Sequence, residues 1–201
     1  RPVLHSEADF QHVLAWELHK KYPSSKIRLE YPITSGRHTK YFDISIGTDA
    51  GQIFLELKYK TRALTIEQSG EKFNLREQAA QDIGRYDFAW DIHRLEEAIR
   101  DEAAAYGFAI ILTNDPTYWT ESRRKTTVNV DFRIHQDKRL SGPLRWAEGA
   151  SAATVEGRDQ PILLGDSYLI NWRDYSQLPN ERNGLFRYSA VRVGAGVTND
   201  K

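Results

Sequence analysis

Asp43, Glu56 and Lys58 are the residues whose types and spacing could do chemistry in this chain. Glu56 and Lys58 lie in an alternating run, Gln52 to Lys60. Side chains along a strand repeat with period two. Ile53, Leu55, Leu57 and Tyr59 therefore share one face, and Glu56, Lys58 and Lys60 the other. Asp43 belongs to the preceding run, Tyr41 to Ile46, on the face opposite Phe42, Ile44 and Ile46. Between the runs, Gly47-Thr48-Asp49-Ala50-Gly51 is rich in turn residues and predicts a hairpin. With Gly47 opposite Gln52, Asp43 falls opposite Glu56 and Tyr41 opposite Lys58. Opposed Cβ atoms lie roughly 4.5–5.5 Å apart. A slip of one residue would put Phe42 opposite Glu56 instead.

Two facing carboxylates repel, so a half-buried sheet gains nothing from that pairing. A divalent cation removes the conflict. Mg²⁺, for which Mn²⁺ can substitute, takes hard oxygen ligands, commonly one or two carboxylates completed by water and phosphate oxygens. Such a cation lowers the pKa of bound water and neutralises charge growing on a phosphate. Lys58 would position the attacking water or stabilise the transition state. The competing reading is a solvated strand face on which Glu56 and Lys58 form a surface ion pair contributing about 0–1 kcal/mol.

The elements that must hold these residues follow from periodicity. Ser6 to Lys21 reads as a helix, with Ser6 and Asp9 in capping positions, Phe10, Val13, Leu14 and Leu18 at helical spacing, and Pro23 at its end. Ile27 to Ile33 alternates, with Ile27, Leu29, Tyr31 and Ile33 on one face, and reads as a first strand. Asn74 to Tyr106 reads as mostly helical with a break near Gly84, and Phe108 to Leu112 as a buried central strand. Val128 to Ile134, Ile162 to Trp172 and Leu185 to Val193 read as later strands, and Ser141 to Pro161 as a long loop. The predicted class is α/β, a mixed β-sheet flanked by helices. It forms a single domain over 1–201, with an αβββαβ core over 6–114 and a β-rich extension over 115–201.

Phe42-Asp43, twelve intervening residues and then Glu56-Leu57-Lys58 resemble the bipartite signature of the PD-(D/E)xK nuclease superfamily, with Phe42 where the name has Pro. The resemblance covers about residues 6–114. It implies a restriction-endonuclease-like core and Mg²⁺-dependent cleavage of DNA, in restriction, defence or repair. It implies Asp43 and Glu56 as metal ligands, the backbone carbonyl of Leu57 as a further ligand, and Lys58 as the catalytic lysine. Members often place a Glu of the first helix near the metal. Glu7 and Glu17 are the candidates, and Glu7 is preferred for its place near the helix start, where a carboxylate also suits the helix dipole. Some members carry Gln-x-x-x-Tyr on the helix after the core strands. Gln78 and Gln81 are the accessory candidates here, although Tyr86 follows Gln81 by one residue too many. Many such nucleases act as dimers, so a homodimer is implied as well.

Basic residues gather in three places: Arg37 and Lys40; Lys60 and Arg62; and Arg123, Arg124 and Lys125. Beside aromatics these suit phosphate contact and base stacking, or form solvated charge clusters. The charge balance, 28 basic against 28 acidic side chains, argues against a nucleic-acid coat protein but not against a nuclease with an acidic centre. DNA is the expected partner, with RNA also open. A non-catalytic nucleic-acid-binding or assembly module with the same fold is the alternative. The chain has no cysteine, so disulfides and thiolate metal sites are excluded. None of its six histidines forms a zinc-helix pair. No apolar run approaches the roughly 20 residues of a membrane span. A cytoplasmic protein is expected.

Overall fold

The computed structural model describes residues 1–35 and 38–194. Helix α1 (Glu7–Lys21) is capped by Ser6, whose hydroxyl accepts from the Asp9 amide at 3.2 Å. It buries Phe10 and Ala15. Strands β1 (Lys26–Ser35), β2 (His38–Thr48) and β3 (Gly51–Lys60) follow as a meander. The β2–β3 register is the one the turn chemistry predicts, with Gly47 opposite Gln52 and Thr48 opposite Gly51.

A second hairpin, β4 (Leu64–Gln68) and β5 (Glu71–Leu75), then intervenes before the long helix. Its turn is Ser69-Gly70, both at positive φ (53° and 79°), the conformation that tight hairpins favour. Leu64 faces Leu75 and Ile66 faces Phe73, so the hairpin carries its own apolar side onto the core. The expected helix from Asn74 is corrected accordingly. Asn74 and Leu75 are strand residues, and α2 runs Gln81–Arg100. Gly84 does not break it. The hydroxyl of Tyr118 occupies the place a Cβ would take at Gly84, so glycine serves close packing there. Gly84→Ala is expected to cost about 1–3 kcal/mol by overpacking, read from the midpoint of chemical denaturation.

After α2 come β6 (Tyr106–Thr113), β7 (Arg139–Leu144), the short α3 (Ala152–Val155), β8 (Ile162–Leu169), β9 (Trp172–Gln177) and β10 (Leu185–Val193). The main sheet has the order β1-β2-β3-β6-β10-β9. β3 and β6 are parallel, joined through α2, and the other neighbours are antiparallel. The molecule is thus mixed α/β, a large mixed sheet with flanking helices. The chain beyond residue 114 supplies two of the sheet's strands, β9 and β10, as well as the separate β7–β8 ribbon.

Three other expectations are corrected. Val128 to Ile134 is a series of turns, because Asn129 and Asp131 divert the chain through side-chain bonds to the Thr127 hydroxyl and the Arg145 amide. The expected loop from Ser141 begins as the end of β7. Ile162 to Trp172 is two elements, since the chain leaves β8 at Leu169 and joins the main sheet at Trp172.

Two apolar layers cover the sheet. On the α1 side lie Phe10, Ile44, Ile46, Leu55, Leu57 and Tyr59. On the α2 side lie Phe42, Phe54, Phe88, Ile92, Leu95 and Ile111, extended by Phe132 and Trp172 from the later chain. Phe42 and Ile44 thus pack in different layers, as do Ile27 and Tyr31, against the expectation of one continuous face for each strand. The reversal falls at Glu30, which has φ 47°, and at Asp43 beside it. Among the described residues no helix is long and apolar enough to cross a membrane.

Candidate active site

The site forms where two strands part. β2 and β3 pair as far as Ile44 and Leu55 and then separate, while β1 and β2 stay paired and peel away together. Past that point β3 has amides without a ladder partner on its β2 side, and carboxylates take them. Asp43 Oδ2 accepts from the Leu57 amide at 2.5 Å, and Glu7 Oε2 from the Tyr59 amide at 2.7 Å. Gln11 of α1 secures the departing strand by donating to the Asp43 carbonyl and to Glu30, each at 2.7 Å. Asp43 and Glu7 are therefore held at the exposed edge of β3, one residue to either side of Lys58.

Glu56 and Lys58 point to the α2 side, where the helix supplies partners that the sequence reading missed. Arg94 Nη1 lies 2.9 Å from Glu56 Oε1, and Lys58 Nζ lies 2.7 Å from Asp91 Oδ2. Lys58 Nζ also donates to the Leu57 carbonyl at 3.2 Å, so that carbonyl opens into the same cleft. A signal for Asp91 was present in the sequence. It sits three residues after Phe88 and four before Leu95, inside the apolar stripe of α2, where a charge needs a partner.

Electrostatics at the cleft are dominated by crowded acids. Burial raises the Asp43 carboxyl above its ordinary range, and the Leu57 amide and Lys58 only partly offset this. Burial pushes Glu56 up to about 9, with the nearby Asp91 adding and Arg94 opposing. Asp91, fully buried, is raised in the same way and for the same first reason. For Lys58, burial alone would lower the ammonium pKa. Asp91 more than offsets that, aided by Glu7 and Asp43, and Lys58 stays firmly protonated.

The donors suit a hard cation. Glu56 Oε1 and Asp91 Oδ2 are buried with no aligned hydrogen bond, although each is within ion-pair distance of a cation. Each is thus charge-paired, Asp91 with the Lys58 ammonium and Glu56 with the Arg94 guanidinium, and what remains costly is the crowding of buried acids. Among the described residues no three or more His, Asp or Glu side chains are spaced as a ready-made metal cage. Mg²⁺ does not require one, since it commonly takes one or two carboxylates with water and phosphate. Asp43, Glu56 and the Leu57 carbonyl are the oxygens that could hold it, with Glu7 and Asp91 beside them.

The remaining predicted residues lie elsewhere. Gln78 accepts from the Thr61 amide at 2.8 Å, and Gln81 donates to Asp115 at 3.1 Å, a carboxylate that Arg62 also meets at 3.0 Å. These contacts knit the ends of β3 and β6 to the start of α2. Lys60 follows Lys58 on the α2 side, close to Gly84. Lys40 pairs with Glu97 at 2.7 Å on the rim of the cleft. Arg123, Arg124 and Lys125 form an exposed loop in which Lys125 is 3.6 Å from Glu121. Arg37 lies outside the described residues. Beside Arg94, an open groove of about 430 Å³ is lined by Thr39, Lys40, Tyr41 and Trp90. Both of its aromatic side chains are exposed.

Residues 10–86 match the family described as Type I restriction enzyme R protein N terminus (HSDR_N), well under half of the chain. The matched stretch includes Asp43, Glu56 and Lys58 and stops inside α2, before Asp91 and Arg94. No curated protein and no solved structure matches the chain.

Proposed function

We propose that this chain is a Mg²⁺-dependent nuclease of the PD-(D/E)xK type, with a restriction-endonuclease-like core, that hydrolyses DNA phosphodiester bonds in a restriction system. The observation that carries the reading is the cleft at the β2–β3 divergence, where the Asp43, Glu56 and Asp91 carboxylates are crowded together beside Lys58 and burial raises all three. The similarity to a restriction-enzyme family over the same strands supports it. Asp43, Glu56 and the Leu57 carbonyl hold the cation in this reading, with Glu7 nearby. The bound cation supplies a lowered water pKa and charge neutralisation at the phosphate. Lys58, kept as an ammonium by Asp91, stabilises negative charge on the phosphoryl oxygens instead of removing a proton. Arg94 balances Glu56 from behind.

DNA reaches the cleft across the groove lined by Lys40, Tyr41 and Trp90. Exposed aromatics beside cations suit base stacking, which contributes about 1–3 kcal/mol per base. Trp90→Ala is expected to weaken single-stranded DNA binding about 5- to 100-fold by fluorescence anisotropy in EDTA. The decisive experiment is Mn²⁺ titration calorimetry combined with cleavage of plasmid, linear and single-stranded DNA. Saturable metal binding lost in Asp43→Ala, with metal-dependent cleavage by the wild type, is expected. Absence of metal binding by the folded wild type overturns the reading.

One observation favours a second reading, a nucleic-acid-binding or assembly module that keeps the fold without catalysis. Glu56 with Arg94 and Lys58 with Asp91 already balance charge within the chain. That reading requires DNA binding that is indifferent to Mg²⁺ and unaffected by Asp43→Ala.

A further inference from the structure

A second cavity lies away from the cleft, between the start of α2 and the turns that follow β6. Its volume is about 290 Å³, near the lower limit of small-ligand sites. Arg85, Arg133 and His135 line it together with Tyr118, Thr120 and Thr127. Arg133 is 8% exposed. Its guanidinium donates to the Arg124 carbonyl and to the Thr127 hydroxyl, both neutral acceptors. Arg85 lies over the Tyr118 ring at 5.2 Å and donates to the Thr117 carbonyl at 2.6 Å. Among the described residues neither arginine has a carboxylate within ion-pair distance. Glu121 stands exposed at the mouth, turned to Lys125 at 3.6 Å.

Two guanidinium groups share the cavity, and its one lining carboxylate, Glu121, is turned to Lys125 and not to either of them. Arg133 is buried and Arg85 half-buried, and like charges gathered at one site resist each other. Burial lowers the Arg85 pKa, opposed by Tyr118 and the more distant Asp115 and Asp82 carboxylates, with Arg133 adding to the lowering. His135 is lowered by burial as well, again with Arg133 and Arg85 contributing, despite the opposing Glu121. An oxyanion relieves all three groups at once. Guanidinium forks match the oxygens of a phosphate, and the Thr120 and Thr127 hydroxyls offer further donors.

We infer that this cavity binds a phosphate monoester, held by Arg85 and Arg133 with the threonine hydroxyls. The group comes either from the phosphorylated end of a nucleic-acid strand or from a free phosphate compound. The inference does not depend on the nuclease reading, because it needs neither metal nor cleavage, and most of its residues lie beyond the stretch that matches the restriction-enzyme family.

Titration of the full chain with inorganic phosphate in EDTA, by calorimetry and ³¹P line broadening, tests it. Saturable one-to-one binding is expected, weakened at least tenfold in Arg85→Gln. Arg133→Gln is expected to do the same. It also removes a tie to the 124–127 turn, so Arg85→Gln, with circular dichroism confirming its fold, decides the matter. Competition with phosphate by a 5′-phosphorylated oligonucleotide, but not by its 5′-hydroxyl form, identifies a strand end as the source. No competition by either identifies a free phosphate compound, and equal competition by both overturns the choice of a monoester, since the backbone diesters then suffice. No saturable binding by the folded wild type overturns the inference. So does binding that survives in folded Arg85→Gln but disappears in Lys58→Ala, since the anion then sits in the cleft.

Discussion

Lys58→Ala is expected to reduce Mg²⁺-dependent DNA cleavage by about 10²–10³-fold while leaving Mn²⁺ binding within a few-fold of the wild type. Removing one preorganised group that stabilises transition-state charge commonly costs that much. The ammonium is positioned for such a role. It is pinned between the Asp91 carboxylate at 2.7 Å and the Leu57 carbonyl at 3.2 Å, and its acidic surroundings keep it charged across the neutral range. In the proposed reading metal affinity depends on Asp43, Glu56 and the Leu57 carbonyl, none of which the substitution removes. Loss of cleavage and of metal binding together would mean that the cleft had collapsed. Full cleavage by Lys58→Ala would remove Lys58 from the mechanism. Single-turnover cleavage of a labelled duplex, run beside the calorimetric titration, separates these outcomes.

Glu56→Gln is expected to make the metal-free protein more stable and the nuclease inactive. Burial raises the folded Glu56 carboxyl from 4.5 to about 9. A carboxyl with a raised folded pKa contributes its stability fully below the unfolded value and loses it as pH rises through the folded one. Wild type and variant therefore have similar stability near pH 4, and the variant gains from there to about pH 9. One pKa unit corresponds to about 1.4 kcal/mol, so a gap on the order of 2 kcal/mol at neutral pH is a conservative expectation. For a chain of this size each kcal/mol moves the melting temperature by about 2–4 °C. The Asp91 carboxyl, raised in the same sense, interacts with Glu56, so the gap also contains the easier ionisation of Asp91 once the neighbouring charge is gone. Melting curves in EDTA from pH 4 to pH 9 measure the gap. Mg²⁺ should narrow it, because only the wild type has the charged ligand. A gap that stays constant with pH would mean that Glu56 ionises normally.

The two predictions describe one physical situation. Acids placed where burial resists their ionisation make the cleft costly to the free fold, and in the proposed reading a cation relieves that cost. The same logic at the Arg85–Arg133 cavity carries the opposite sign, with a buried and a half-buried cation inferred to take an anion.

Parts of this arrangement follow from the sequence because they are set locally. The Ser6 cap, the turn at Thr48-Asp49-Ala50-Gly51 and the strand Leu185–Val193 are where nearby residue types require them. The β2–β3 register near the turn follows from the turn, but the expected pairs Asp43–Glu56 and Tyr41–Lys58 do not form, because the strands part after Ile44 and Leu55 and Asp43 turns to the Leu57 amide. The hairpin at residues 64–75 was equally local, since Ser69-Gly70 is a turn signal between alternating apolar residues, yet it was not read. Other features depend on packing between residues far apart in the chain. Nothing local requires β1 and β2 to change faces at Glu30 and Asp43, because that reversal follows from where the β1–β2 ribbon leaves β3. Asp91 and Arg94 meet Lys58 and Glu56 only because α2 crosses β3 in one particular alignment. Arg85 and Arg133 share a cavity only because turns after β6 fold back onto α2. Short-range periodicity and turn chemistry were enough to place Asp43 on one strand and Glu56 and Lys58 on the next. The tertiary structure decided which charges are buried together, because burial and long-range pairing arise only when distant segments pack.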